Sequence, residues 1–355
     1  MKKFILSTGF AMSFIICGYS QGCIAVRHMA TATGNPNSPA SMIKQGQFQF
    51  TAGYRYLHSY KHFVGRVEQV ERVEKGTEVI NDSHGFDFGL SYALNPRISF
   101  AVNLPYNKND RSSLYEHYGN AVATNPEQKR FHTYSQGVGD LRASATYWLF
   151  NPFTHLKGNL AFGVGIKAPT GDANVQGDFY KLDKNKVPYI QRKTLDQSMQ
   201  LGDGGWGYSV ELQGYRSLFK NTSVYFNGFY MFSPKGVNPL NNLSVPDQFA
   251  VRTGLSYNLL PKKGLAFSLG GRLEGLPAID RIGISEGSRR PGYIFSIEPS
   301  LILNIAQHSF VVGMPVAIIR DRIKSWSDLQ DPLKLKHGDA AFADKLITVT
   351  YGYRF

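Results

Sequence analysis

Leu346-Ile347-Thr348-Val349-Thr350-Tyr351-Gly352-Tyr353-Arg354-Phe355 closes the chain and decides its fold. Side chains alternate faces along a strand. Ile347, Val349, Tyr351, Tyr353 and Phe355 therefore share one side, and Thr348, Thr350, Gly352 and Arg354 the other. One face is apolar and aromatic-ended while the opposite one is polar. Such a strand suits a wall with lipid outside and water inside.

The same period of two recurs upstream. Leu160, Phe162, Val164 and Ile166 alternate with Ala161, Gly163, Gly165 and Lys167; Phe86, Phe88, Leu90, Tyr92 and Leu94 repeat the pattern. Read throughout, the alternation predicts twelve strands. Their connections alternate in length. Short turns fall at Asn95-Pro96-Arg97, 151–157, Lys220-Asn221, Pro261-Lys262-Lys263 and Ala306-Gln307. Long polar segments fall at 58–84, 106–136, 168–205, 233–247, 275–290 and 320–344. Short periplasmic turns and long extracellular loops are the pattern of bacterial transmembrane barrels, and an even strand count puts both ends in the periplasm. The expected fold is all-β: a single-domain antiparallel transmembrane β-barrel. Pro299 and Pro315 fall within the tenth and eleventh strands, where each removes a ladder donor. If one of those segments failed to span, the count would drop to ten.

The other end agrees. Lys2 and Lys3 precede an apolar run from Phe4 to Cys17, and Gly18-Tyr19-Ser20 supplies small residues for cleavage, as in a secretory signal peptide. The expected division is residues 1–20 as signal, 21–45 as a periplasmic lead or a plug, and 46–355 as the barrel. A competing reading makes Ser20-Gln21-Gly22-Cys23 a lipobox with Cys23 lipidated, although the Leu expected three residues before that cysteine is missing. Cys17 would leave with the signal, so the mature chain keeps one cysteine and no internal disulfide. The expected location is the outer membrane of a Gram-negative bacterium, with outer-membrane lipid as surroundings.

The formal charge of +13 falls to +11 once Lys2 and Lys3 are removed. Basic residues are scattered through every segment, and export separates the chain from cytoplasmic nucleic acid, so a nucleic-acid partner is not expected. Function is sought on the polar strand faces. Arg55, Arg142, Lys167, Arg252, Arg272 and Arg354 are basic there; Asp87, Glu211, Glu274 and Glu298 are acidic. In a barrel these line the lumen and tune selectivity, or they pair and brace a filled interior. Their formal excess of two positive charges would favour anions in a water-filled lumen.

Other constellations carry less. Gly163-Val164-Gly165 and Gly202-Asp203-Gly204-Gly205 lack the helix and the Gly-Lys-Ser/Thr ending of a phosphate loop. His58 and His62 are four apart, but at a strand end with no carboxylate or cysteine at ligand spacing, so neither a metal nor another cofactor is expected. His117 and His132 lie near Ser112 and Ser113, and His155 and His308 lie in turns; nothing orders them into nucleophile, base and orienter. No enzyme is expected. Val67, Val70 and Val73 recur every third residue, fitting either a short helix or a continued hairpin.

Two resemblances sharpen the expectation. The ending Tyr351, Tyr353, Phe355 resembles the assembly signal that outer-membrane barrels present to their insertion machinery. Gly137-Val138-Gly139-Asp140-Leu141 and Gly163-Val164-Gly165-Ile166-Lys167-Ala168-Pro169-Thr170-Gly171-Asp172 resemble the outer-membrane transporter-like family named for the meta-cleavage pathway of phenol degradation. That resemblance implies a barrel for passive passage of small molecules, hydrophobic or aromatic ones among them, and supplies no catalytic residues. The alternatives are a surface-interaction barrel acting through its loops and, third, a lipid-modifying enzyme.

Overall fold

A computed structural model describes residues 42–355. The expected signal segment, Cys23 and most of the lead fall outside the described residues. Twelve antiparallel strands form the wall. They are β1 (Phe48–Ser59), β2 (Ile80–Ala93), β3 (Ile98–Ser113), β4 in two pieces (Phe131–Val138, Arg142–Trp148), β5 (Gly158–Lys167) and β6 (Gly207–Phe219). Then come β7 (Thr222–Phe232), β8 (Gln248–Leu260), β9 (Leu265–Leu276), β10 (Gly292–Ile305), β11 in two pieces (His308–Gly313, Val316–Asp321) and β12 (Lys345–Arg354). Each strand pairs with its neighbours in sequence, and β12 returns to β1 in register from Gln49↔Arg354 to His58↔Lys345. The sheet is a closed barrel.

The faces follow the alternation. Phe88, Leu90, Phe100, Val102, Phe162, Val164, Leu269, Leu301, Val312 and Ile347 are exposed on the outside, while Gln49, Ser268, Arg272, Glu298, Ser300 and Arg354 are buried inside. An apolar outside around a polar inside reverses the order of a water-soluble sandwich and is the arrangement for lipid. Among the described residues no helix is long and apolar enough to cross a membrane.

Short turns have local causes. The Asn95 side chain accepts from the backbone N–H groups of Arg97 (2.8 Å) and Ile98 (2.9 Å), closing the β2–β3 turn. Gly264 sits at φ +69° against the Asn304 carbonyl, where a Cβ has no room. Ala306 takes φ +52° in the β10–β11 turn without a glycine's freedom.

Both suspect prolines lie in strands that complete the wall, so the count is twelve. Pro299 sits within an unbroken β10, and Pro315 lies in the break of β11. Pro299 keeps its acceptor, taking the Met314 N–H at 3.2 Å. Above this break β11 pairs with β10 alone. A second break, at 139–141 in β4, faces Pro105, whose carbonyl accepts from the Gly139 N–H at 2.8 Å. Above it, Phe131–Val138 pairs with β3 alone.

At the long-loop end the chain folds inward. His62–Val64, Val67–Glu68 and Ala340–Ala341 form a small three-stranded sheet. Leu57, Phe63, Ile294, Ala340, Phe342, Ala343 and Leu346 form an apolar cluster. The valine triplet resolves both ways: Val67 is in that sheet, and Val70 and Val73 are in a one-turn helix (Val70–Glu74).

Candidate functional site

The lumen divides into two halves. Toward the short turns it holds a cavity of about 320 Å³, reached past Met42, Ile43, Pro96 and Pro152 and lined on its walls by Trp148, Tyr215, Tyr225 and the polar faces of the strands. Met42 and Ile43 are the only described part of the lead that touches it. Toward the long loops the interior is packed with ion-paired side chains.

Apart from Arg354, the candidate lumen charges on the strands fall into three groups. Glu298 on β10 receives Arg252 Nε at 2.7 Å and Arg272 at 3.4 Å, and Arg272 also holds Glu274 at 2.8 Å. Arg252 and Arg272 stand directly opposite each other on β8 and β9. The carboxylates are what make that like-charged pair tolerable.

Lys167 forms the second group with Asp140, at 3.3 Å, and Asp203. This is where the two glycine motifs meet. Asp140 accepts from the backbone N–H groups of Gly171 (3.0 Å) and Asp203 (3.3 Å). Thr170 Oγ1 donates to the Gly139 carbonyl at 3.0 Å and accepts from the Leu141 N–H at 2.8 Å. A Cβ on Gly202 would lie 2.6 Å from Asp140 Oδ1, so the backbone must approach bare. The motif stretch fastens the break in β4 to the start of the third long loop. Sequence reading places Lys167 on the lumen face, lining or bracing it, but does not reach its partners, because Asp140 and Asp203 lie in loops that strand alternation does not index. With those two added to the ten candidates, six basic residues stand against six acidic ones.

The third group is different. Asp87 on β2, Arg142 on β4 and Glu211 on β6 make no ion pair and no side-chain hydrogen bond among the described residues. Asp87 Oδ1 and Arg142 Nε and Nη1 are closed off from solvent without a partner. Arg55 and Arg142 lie within electrostatic reach of Asp87, and Arg142 within reach of Glu211. Arg55, Asp87 and Glu211 line the cavity.

Arg354 belongs to the rim instead. It donates to the Ala306 carbonyl at 2.9 Å and so holds the β10–β11 turn. Tyr351 packs on His308, and Phe355 stacks on Phe48 and Tyr353, each at 5.8 Å between ring centres.

The histidines singled out in the sequence are engaged in structure where described. His62 is fully buried; its Nε2 accepts from the Val79 N–H at 3.0 Å, which leaves Nδ1 to donate to Asp339 at 3.2 Å. Burial opposes charge on Asp339, but His62 and Arg72 (2.7 Å) hold its carboxyl below the usual range. His58 pairs with Asp82 at 2.9 Å, and His132 with Asp110 at 2.7 Å. His117 is buried among Phe131, Phe179 and Tyr180, and burial pushes its imidazole down to about 4. Ser113 donates to Glu116 at 2.8 Å. No group of three or more metal-ligating side chains occurs among the described residues.

No protein-family model and no curated protein matches this sequence. Solved structures do. An outer membrane channel from Pseudomonas putida F1 superposes with a TM-score of 0.58 at 11% identity, covering 92% of this chain and 99% of that one. The P. putida toluene transporter TodX scores 0.42 at 9% identity, covering 91% and 93%. The translocator domain of the autotransporter NalP from Neisseria meningitidis scores 0.43 at 10% identity, covering 88% and 89%. At 11% identity the likeness to the P. putida channel carries the fold alone. That fold is an outer-membrane barrel.

Proposed function

We propose that the protein is an outer-membrane channel for passive passage of small molecules, entered from the periplasmic side through the half-open lumen. The observation that carries this is the cavity of about 320 Å³, continuous with the short-turn mouth and ending on charged side chains rather than on an apolar plug. A closed wall with an apolar outside supports the membrane setting, and the likeness to the P. putida outer membrane channel supports the class. The hydrophobic or aromatic cargo implied by the motif resemblance fits the Trp148, Tyr215 and Tyr225 wall, while the floor is polar.

The packed long-loop half favours a second reading, a surface-interaction barrel whose loops bind a partner. Planar-bilayer recordings separate the two. The channel reading expects discrete, small conductance steps that grow when the buried segment 339–343 is shortened. Silent bilayers with both forms, together with undiminished solute uptake in cells lacking the protein, would sink it and leave the surface-binding reading.

A further inference from the structure

The chain's 26 Asp and Glu are absent from one end of the barrel. None occurs at 88–109, 141–171, 212–246, 248–273, 299–320 or 345–355, the stretches that contain the five short turns, the strand ends adjoining them and the closing strand. Basic residues are not absent there. Arg97 donates to the Trp148 and Leu149 carbonyls at 3.0 and 2.8 Å, Arg354 holds the Ala306 carbonyl, and Lys44 stands on the lead. Lys157, Arg216, Lys220, Lys262 and Lys263 are exposed and make no ion pair among the described residues. At the long-loop end, by contrast, Arg66, Arg130, Arg289 and Arg320 each pair with a carboxylate.

The five free cations are neighbours. The Ser217 N–H donates to the Lys157 carbonyl at 2.7 Å, and the Asn258 N–H to the Asn221 carbonyl at 2.8 Å. These bonds seat the β4–β5, β6–β7 and β8–β9 turns side by side along one arc of the rim. Apolar side chains are interleaved with the charges. Leu259 and Leu260 are exposed just before Pro261-Lys262-Lys263, and Phe219, beside Lys220, is 73% exposed. A ring that open suits the boundary of a bilayer, where barrels carry their aromatic girdles, rather than bulk water. Arg216 fixes the direction. It lies an even number of residues from Tyr208 and Val210, which are exposed on the outside of β6, whereas Glu211, Gln213 and Tyr215 line the cavity. A charge on the lipid face is tolerated near the interface and costly at the midplane. The arc thus faces the head-group layer, with lysine stems long enough to keep their ammonium groups there.

We infer that this arc is a docking site for anionic phospholipid head groups, their phosphates held by Lys157, Arg216, Lys220, Lys262 and Lys263. Basic side chains at a membrane surface attract such lipids. The inference rests on the membrane setting and not on the channel reading, so neither conductance nor its absence bears on it. Dihexanoyl phosphatidylglycerol and dihexanoyl phosphatidylcholine, matched in chains and differing in net charge, are titrated onto the barrel in neutral detergent, and bound lipid is counted by native mass spectrometry. The anionic lipid should bind at least about fivefold tighter, the factor that one basic residue contributes at a charged lipid surface. Lys262→Gln combined with Lys263→Gln should lower that preference, while Lys184→Gln combined with Lys186→Gln, the same loss of charge in the third long loop, should leave it intact. If the first pair fails to fold, the lipid ranking on the native protein still decides. Equal binding of the two lipids, or an equal effect of the two double variants, would overturn the inference. Glycerol 1-phosphate binding as tightly as the lipid would make this a free-phosphate site, and polyglutamate binding more tightly would make it a surface for an acidic protein; either result overturns it too.

Discussion

Replacing Glu298 with Gln tests whether the lumen's ion pairs hold the barrel together. The residue is 1% exposed and bridges Arg252 and Arg272, which face each other across β8 and β9. Glutamine keeps the size and one acceptor but removes the charge. Two charge-assisted contacts are weakened, each worth about 1.5–3 kcal/mol; Arg272 keeps Glu274, and Arg252 loses its carboxylate partner. Breaking a buried pair by removing one partner costs about 3–5 kcal/mol, and the two estimates agree. Equilibrium urea unfolding in lipid vesicles, followed by loss of heat-modifiable mobility, should show a loss of that size. Removing the whole set, with Arg252→Met, Arg272→Met, Glu274→Gln and Glu298→Gln combined, should cost less than Glu298→Gln alone. A single variant within about 1 kcal/mol of the native protein would refute the reasoning, because it would mean the network is solvated through the cavity.

Other expectations follow from single positions. Val349→Arg places a charge on the lipid face and should cost about 2–4 kcal/mol near the midplane, whereas Thr350→Arg points into the lumen and should be tolerated; refolding yield in vesicles compares them. Ala306→Gly should raise stability by up to about 1 kcal/mol by relieving φ +52°, read from the same unfolding curves. His117 is held near 4 against an ordinary value of about 6.5, so the unfolded loop binds its proton first; local stability falls as pH drops through that window. Hydrogen exchange around Phe131 and Phe179 should rise over it, and His117→Phe should abolish the dependence. Cysteines introduced for Lys184 and Lys262 should label differently on intact cells, Lys184 reacting and Lys262 not; the opposite result would invert the proposed orientation.

Alternation made the wall legible because a one-residue slip would turn lipid-facing side chains into the lumen. Phe162, Val164, Ile347 and Val349 could be assigned to a face from sequence alone for that reason. The two prolines were harder. Pro299 tolerates an unbroken strand because the N–H it lacks would have pointed at the break beside Pro315, and that register is not written in the alternation of either strand. Site residues divide the same way. Inward direction was readable for Arg252 and Glu298, but which charges would neutralise each other was not, since that depends on the register between neighbouring strands and, for Lys167, on loop residues. Trp148 was readable in principle: it follows Arg142, Ser144 and Thr146 on the inward face, and only its size hid it among the outward aromatics.

The seam between β1 and β12 has a kinetic side. Phe48 and Phe355 exchange backbone hydrogen bonds, at 2.8 and 3.0 Å. Every other wall contact joins strands that follow one another along the chain, so eleven of the twelve junctions can zip in order of emergence, each with modest loop closure. The last cannot. Until the final strand arrives, the growing sheet carries two open edges, each a template for pairing with another chain. Closure is thus a single late event between the most distant parts of the sequence, the slow kind of step. A chain that stalls before it is a curved, sticky ribbon rather than a partial pore.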